Sequence, residues 1–184
     1  MKKFEEKTIS TNNIFKGKII SLQVDEVELP DGKTAKREMV KHPGAVAVIA
    51  MTENGKIIMV EQYRKALERS LLEIPAGKLE PGEQPKLTAA RELEEETGYT
   101  AGNLEHLISF YTSPGFADEL IHLYIAKELK KVENPRAGDE DEFVELHKLT
   151  IEEAVKCVED RRIYDAKTAY AVLYLQLQLA MGKI

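Results

Sequence analysis

Residues 77–99 read GKLEPGEQPKLTAARELEEETGY, and this stretch restricts the fold more than any other part of the chain. Pro85 suits the first turn of a helix, and Gly98 suits the left-handed position just past its end, so the spacing predicts a helix over about 85–97. That helix ends in acid. Glu92 and Glu96 are four residues apart and Glu92 and Glu95 three apart, so all three crowd one face. Each like-charge pair costs roughly 0.2–0.5 kcal/mol, and the negative end of the helix dipole adds about 0.3–1 kcal/mol per residue. Lys or Arg would stabilise that end, yet Arg91 is the only basic residue close by. A solvated charged face is the common reason for a glutamate run, but a bound divalent cation better explains acid at the unfavourable end of a helix. Clustered carboxylates without a Cys or His cluster favour a hard ion, Mg²⁺ or Mn²⁺. Zinc is disfavoured because His42, His106, His122 and His147 are scattered without ligand spacing.

The rest of the composition excludes several classes. The 184 residues suffice for one domain with a sizeable core. A net charge of −6 argues against a nucleic-acid partner, which calls for a basic face, and suits a chain that holds cations. Cys157 is the single cysteine, so no internal disulfide can form and nothing points to an oxidising compartment. The opening MKKFEEKTIS has no apolar run after its lysines, unlike a secretory signal, and the longest apolar run, at 45–51, is too short to span a bilayer. The expectation is a cytoplasmic protein with no membrane or nucleic-acid partner.

The apolar pattern supplies the frame. Residues 14–29 alternate, PDGK at 30–33 signals a turn, and REMVKH follows, which together read as an N-terminal hairpin or meander. GAVAVIAM and KIIMVEQY read as two strands joined by TENG, whose Asn54-Gly55 pair suits a tight hairpin turn. SLLEIPAG reads as a short strand ended by Pro75 and Gly77, LEHLISFYT, ELIHLYIAKEL and FVELHKL as further strands, and NPRAGDEDE as an acidic loop. Thr150 with Glu153 fits a capping box opening a helix to about 159. A last helix over about 165–181 is apolar on most faces, so core or a partner must cover it. The pattern implies an α+β fold: a mixed sheet with helices packed on it in an α/β/α sandwich, plus a small N-terminal antiparallel sheet. The expected division is 1–42, a β segment, and 43–184, the main domain.

The acidic stretch also matches a longer pattern. Gly77, five residues, Glu83, seven residues, then Arg91-Glu92-Leu93-x-Glu95-Glu96-x-Gly98-Tyr99 resembles the Nudix box, GX5EX7REUXEEXGU, with U a bulky apolar residue. Every fixed position matches, and Tyr99 replaces the more usual aliphatic residue. The resemblance implies a Nudix-type sandwich whose box helix carries Mg²⁺. It implies Glu92 and Glu96 as metal ligands, Glu95 as a direct or water-mediated ligand, and the carbonyl of Ala76 as another. Arg91 would orient these glutamates, and Glu83 would buttress the loop.

Nudix enzymes cleave a nucleoside diphosphate linked to another group. Pro114, sixteen residues after Gly98, lies at a distance that marks the ADP-ribose pyrophosphatase subgroup. EQYR at 61–64, EIPAG at 73–77 and YDAKTAYAVLYLQL resemble that subgroup too, so the likeness covers nearly the whole chain. It implies Mg²⁺-dependent hydrolysis of ADP-ribose to AMP and ribose 5-phosphate. Arg37 and Arg64 match positions that bind substrate, as arginine suits bidentate phosphate contacts. Glu38, Glu119 and the Ser113, Pro114, Gly115 turn complete the substrate-binding set. In these relatives the N-terminal segment crosses to a second subunit over the adenine, so a homodimer is implied. Ile20 and Ser21 lie near the matching position, where an aromatic residue would be expected.

The proton acceptor lies outside the box in similar enzymes, on a mobile loop. GDEDEF at 138–143 fits, with Glu140 and Glu142 as candidates; Glu142, preferred, would also touch metal. Three other readings stay open. One is a Nudix reaction on a sugar nucleotide, dinucleotide or oxidised nucleotide. Another is a non-catalytic ADP-ribose sensor. The third is a structural protein whose acidic helix aids solubility.

Overall fold

The computed structural model describes residues 3–138 and 143–184. They fall into two compact units: residues up to Gly44 together with Phe110–Ile121, and Ala45–Ser109 together with His122–Ile184.

The first unit is built on an antiparallel sheet of β1 (Lys7–Lys16), β2 (Ser21–Glu28) and β3 (Thr34–Lys41), in that order. The PDGK turn closes β2 onto β3 as its residues require. Gly32 takes φ 83° and donates to the Leu29 carbonyl at 2.9 Å. β1 was not anticipated, because KTISTNNIFK is largely polar, and the structure explains this: every residue of it is exposed. The segment 112–119 hangs on β3. Val40 N–H donates to the Phe116 carbonyl at 2.8 Å, and the Asp118 carboxylate accepts from His42 N–H at 2.8 Å and Lys41 Nζ at 2.9 Å.

The second unit holds a seven-stranded sheet. Its main path runs β10 (Val144–Leu149), β5 (Ile57–Arg64), β4 (Ala45–Met51), β9 (Leu120–Lys131), β8 (Tyr99–Tyr111); β6 (Arg69–Glu73) pairs with β5, and β7 (Ala76–Lys78) with β4. Val46–Ala50 and Ile57–Val60 are wholly buried, which a strand achieves only when both faces of its sheet are covered. Val46, Val48 and Ala50 point to one face, where Ala89 and Leu93 of α1 (Pro85–Thr97) join Leu104 and Tyr124 in the core. Ala47 and Ile49 therefore point to the other. The remaining helices, α2 (Ile151–Glu159) and α3 (Ala166–Ala180), pack on each other and bury Ala154, Cys157, Ala171, Val172 and Leu175. The expected sandwich of sheet between helices is present.

Local signals behave as their chemistry dictates. Pro85 opens α1, and Gly98 ends it at φ 70°, donating to the Glu94 carbonyl at 2.8 Å. The capping box of α2 is complete: Glu153 N–H donates to Thr150 Oγ1 at 3.2 Å, and Thr150 N–H to Glu153 Oε2 at 2.8 Å. Two expectations need adjustment. The strand of SLLEIPAG ends before Pro75, which has no N–H to continue the ladder, but Ala76–Lys78 then forms a further short strand, β7. The β4–β5 connection spans Thr52–Lys56, longer than a two-residue turn, with Thr52 Oγ1 accepting from Lys56 N–H at 2.9 Å. Ala171, Val172 and Leu175 of α3 are covered by core, whereas Leu173 and Leu177, with Met181 just beyond its end, are exposed. No helix among the described residues is long and apolar enough to cross a membrane.

Two substitutions separate core from cap. Leu93→Ala should lower unfolding free energy by about 2–5 kcal/mol, since it empties a fully buried site beneath α1. Thr150→Ala should cost about 1 kcal/mol by removing one cap. Urea denaturation of both variants, followed by circular dichroism, measures the difference.

Candidate active site

The loop before α1 and the helix itself gather the charges named by the sequence. Arg91 is the hub. Its Nη1 lies 2.8 Å from Glu95 and 2.9 Å from Glu92, and its Nη2 lies 3.1 Å from Glu83. Hydrogen bonding to Glu83, with the charges of Glu92 and Glu95 beside it, raises the guanidinium pKa above its ordinary value, and the same Arg91 contact holds Glu83 below the usual carboxylate range. Glu94 faces elsewhere, accepting from the Arg136 N–H at 3.2 Å.

Glu92 and Glu96 are buried, at 8% and 6% exposure. Burying carboxylates is costly unless compensated. Glu96 Oε2 accepts the Ala76 N–H at 2.9 Å, which ties the end of α1 to the start of β7. Glu92 lies directly over Gly77. A Cβ at Gly77 would coincide with the Glu92 carboxylate, so glycine is required there by close approach rather than by a turn. Ala76 and Gly77 are themselves fixed in register against Ala47 and Val46 of the buried central strand. Three carboxylates (Glu83, Glu92 and Glu95) thus surround one guanidinium, and a fourth, Glu96, is held on the same helix by the start of β7.

This donor set fits a hard divalent cation. Every candidate ligand is oxygen, and two of the carboxylates are buried. Among the described residues no three such side chains converge as a closed metal cage; Arg91 draws Glu83, Glu92 and Glu95 together instead. Glu92, Glu95, Glu96 and the Ala76 carbonyl are the groups that would hold the ion.

Arg64 shares this unit. Its Nε and Nη2 grip Glu73 at 2.5 and 2.8 Å, so the fork that the sequence suggested for phosphate is engaged by a carboxylate. Lys167 also donates to Glu73, which is 2% exposed. Burial pushes the Glu73 carboxyl up, but the Arg64 hydrogen bonds and the Lys167 charge outweigh it and leave the pKa below the ordinary value. Neither Glu73 nor Lys167 stood out in the sequence. Glu73 falls within the EIPAG stretch, whose resemblance gives it no role, and a lone lysine near a helix start carries no signal that it is buried.

The remaining candidates belong to the first unit. Arg37 grips Glu6 at 2.6 and 2.8 Å, again through Nη2 and Nε. Glu38 sits on β3 opposite Val24. Ile20 closes the β1–β2 turn through its carbonyl, 2.9 Å from Gly17 N, and Ser21 begins β2. The Ser113 carbonyl accepts from Phe116 and Ala117, which folds Pro114 and Gly115 into an exposed turn. Glu119 accepts from Thr112 Oγ1 at 2.5 Å. Glu140 and Glu142 lie outside the described residues. A cavity of about 510 Å³ lies at the β4–β5 turn, lined by Thr52, Lys56, Tyr99 and Lys148 among others, and none of the box carboxylates borders it. Tyr99 forms part of its wall: the ring packs half-buried against the core and its hydroxyl accepts from Lys148 Nζ at 2.7 Å.

The NUDIX domain family matches residues 41–170, and the nucleoside diphosphate sugar hydrolase N-terminal domain family matches residues 6–40. The chain belongs to the Nudix family and is a hydrolase of that family, whose members use divalent metal ions. It is 63% identical to the ADP-ribose pyrophosphatase of Bacillus subtilis, over 98% of each chain. It is 65% identical to the methanol dehydrogenase activator of Bacillus methanolicus, over 98% of this chain and 97% of that one. The crystal structure of an ADP compounds hydrolase shares the fold, with TM-score 0.84 at 19% identity over 98% of this chain and 97% of that one.

Gly77→Ala should weaken Mn²⁺ binding about ten- to hundredfold, because the methyl group displaces Glu92. Titration calorimetry with Mn²⁺ provides the readout, and unchanged affinity would remove Glu92 from the ligand set.

Proposed function

We propose that this protein hydrolyses the diphosphate bond of ADP-ribose, with Mg²⁺ as the working ion, to give AMP and ribose 5-phosphate. Water adds to one phosphorus, the bridging P–O bond breaks, and the leaving phosphate keeps the bridging oxygen. The observation that carries this reading is the buried carboxylate set of α1 over Gly77, in a chain 63% identical to an ADP-ribose pyrophosphatase over nearly all of its length.

A bound Mg²⁺ would neutralise phosphoryl oxygens and lower the pKa of a coordinated water. The protein's own residues supply the rest. Arg91 holds Glu92 and Glu95 against their mutual repulsion, and Ala76 N–H holds Glu96, so the donors are set before any ligand arrives. Arg64 on strand β5, with Nε and Nη2 on Glu73, would offer its remaining nitrogen to the diphosphate. Glu142 or Glu140 would accept the proton from water. Arg37, Glu38, Ile20, Ser21, Glu119 and the Ser113–Gly115 turn would contact the rest of the substrate.

Residues 1–42 would form the N-terminal β segment and 43–184 the catalytic domain, in a cytoplasmic homodimer. Two exposed apolar surfaces support self-association: Ile9, Ile14, Phe15 and Ile19 around β1, and Leu173, Leu177 and Met181 along α3. The Bacillus methanolicus relative favours a second reading, in which the chain acts on a dehydrogenase.

Incubation with ADP-ribose should release AMP and ribose 5-phosphate only when Mg²⁺ is present, and faster than from GDP-mannose or dinucleotides. Glu92→Gln and Glu96→Gln should each lower kcat by at least about 100-fold. Stimulation of methanol dehydrogenase that survives both substitutions would favour the second reading. Light scattering should give twice the 20.8 kDa chain mass; a monomer at micromolar concentration would reject the dimer.

A further inference from the structure

The strap Glu73–Gly77 joins β6 to β7 and is tied from two sides. On one side stand the box carboxylates: Ala76 N–H donates to Glu96, and Gly77 lies beneath Glu92. On the other stands the first turn of α3. Asp165 caps this helix by accepting the Thr168 N–H at 3.1 Å. Thr168 Oγ1, fully buried, accepts the Ile74 N–H at 3.1 Å. Lys167 Nζ donates to Asp165 at 2.9 Å and to Glu73.

Lys167 is only 9% exposed, and lysine is seldom buried without a purpose. Capping does not supply one, because Asp165 already caps the helix through Thr168. Helix dipoles do not either, since a cation in a first turn is unfavourable. Its contacts do supply one. Arg64, Glu73, Lys167 and Asp165 form an alternating row of two cations and two anions. Glu73 occupies Nε and Nη2 of Arg64, whose Nη1 has no hydrogen bond among the described residues and whose side chain remains 39% exposed. Asp165 balances Lys167 and Glu73 balances Arg64, so the row is neutral and holds the Glu73 carboxylate, and with it the Arg64 guanidinium, in a fixed orientation.

We propose that Lys167 is a positioning residue that acts through Glu73 to hold Arg64, leaving Nη1 for a phosphoryl oxygen of the substrate diphosphate. This rests on the diphosphate reading given above. It makes the start of α3, far from the box in sequence, a support for the same site. It also makes Glu73 a positioning residue, since it orients Arg64 without itself offering an acceptor that an anionic ligand would want.

The test uses the full chain with Mg²⁺, in wild-type form and as Lys167→Met and Lys167→Arg. Steady-state hydrolysis of ADP-ribose should show kcat/KM about tenfold lower in Lys167→Met, mainly through KM, with Lys167→Arg recovering to within about threefold of wild type. In parallel, the Arg64 Nε–H resonance, assigned by its loss in Arg64→Lys, should be protected from exchange in wild type and lose protection in Lys167→Met. An unchanged KM in Lys167→Met overturns the proposal. So does a fall in melting temperature and kcat together that Lys167→Arg fails to recover. Should Lys167→Met not fold, the wild-type resonance decides: fast exchange at Arg64 Nε–H overturns the proposal and protection supports it. Wild-type protein inert toward ADP-ribose would refute the proposed function. The Arg64 resonance, titrated with inorganic pyrophosphate, would still decide the positioning: a shift in wild type that Lys167→Met lacks supports it, and no shift overturns it.

Discussion

One guanidinium among three carboxylates sets the terms for the second unit of this protein. Arg91 stands on the same helix as two of them, Glu92 and Glu95, and its fork reaches Glu83 in the preceding loop as well. Without it, Glu92 and Glu95 would repel each other across a single helical turn. With it, they are held close together and still short of neutrality. That residual negative charge, on a helix end where the backbone dipole is also negative, is what a divalent ion would relieve. The arrangement costs stability in the metal-free chain, and the fold compensates by burying Ala89 and Leu93 of the same helix against the central strands.

The strap between β6 and β7 transmits that constraint. It runs beside the most buried strand of the sheet, pairs with it at Ala76 and Gly77, and touches charged side chains of two helices. Pro75 breaks its ladder, Gly77 lets Glu92 approach, and Glu73 sits under Arg64 and Lys167. Five consecutive residues therefore carry a backbone kink, a close approach and a buried ion pair. Rigidity here follows from packing on both sides, and it suits a site that must present donors without reorganising.

Much of this was legible in the chain itself. Pro85 and Gly98 fixed the bounds of α1, Thr150 and Glu153 the start of α2, and the fixed spacing from Gly77 to Tyr99 identified the family. These are local signals: a cap, a turn and an i, i+4 face act within a few residues, so their order in the chain contains the physics. β1 escaped notice for the opposite reason. Its ten residues bury nothing, so no apolar alternation marks them, and pairing with β2 alone makes them a strand. The arginines Arg37 and Arg64 were recognised as ligands for anions, but not that Glu6 and Glu73 already grip their forks.

The sequence by itself determined the helix with its acidic end, the glycines and prolines that bound it, and the oxygen-only chemistry of its donors. Each of these depends on residue type and on spacing shorter than two or three helical turns. Only the tertiary structure decided which charges meet. Glu73 and Lys167 are 94 residues apart, and Ala76 and Glu96 are 20 apart, so their contact depends on how sheet and helices stack. An ion pair's energy falls with distance and rises with burial, and neither quantity is written in the order of the residues.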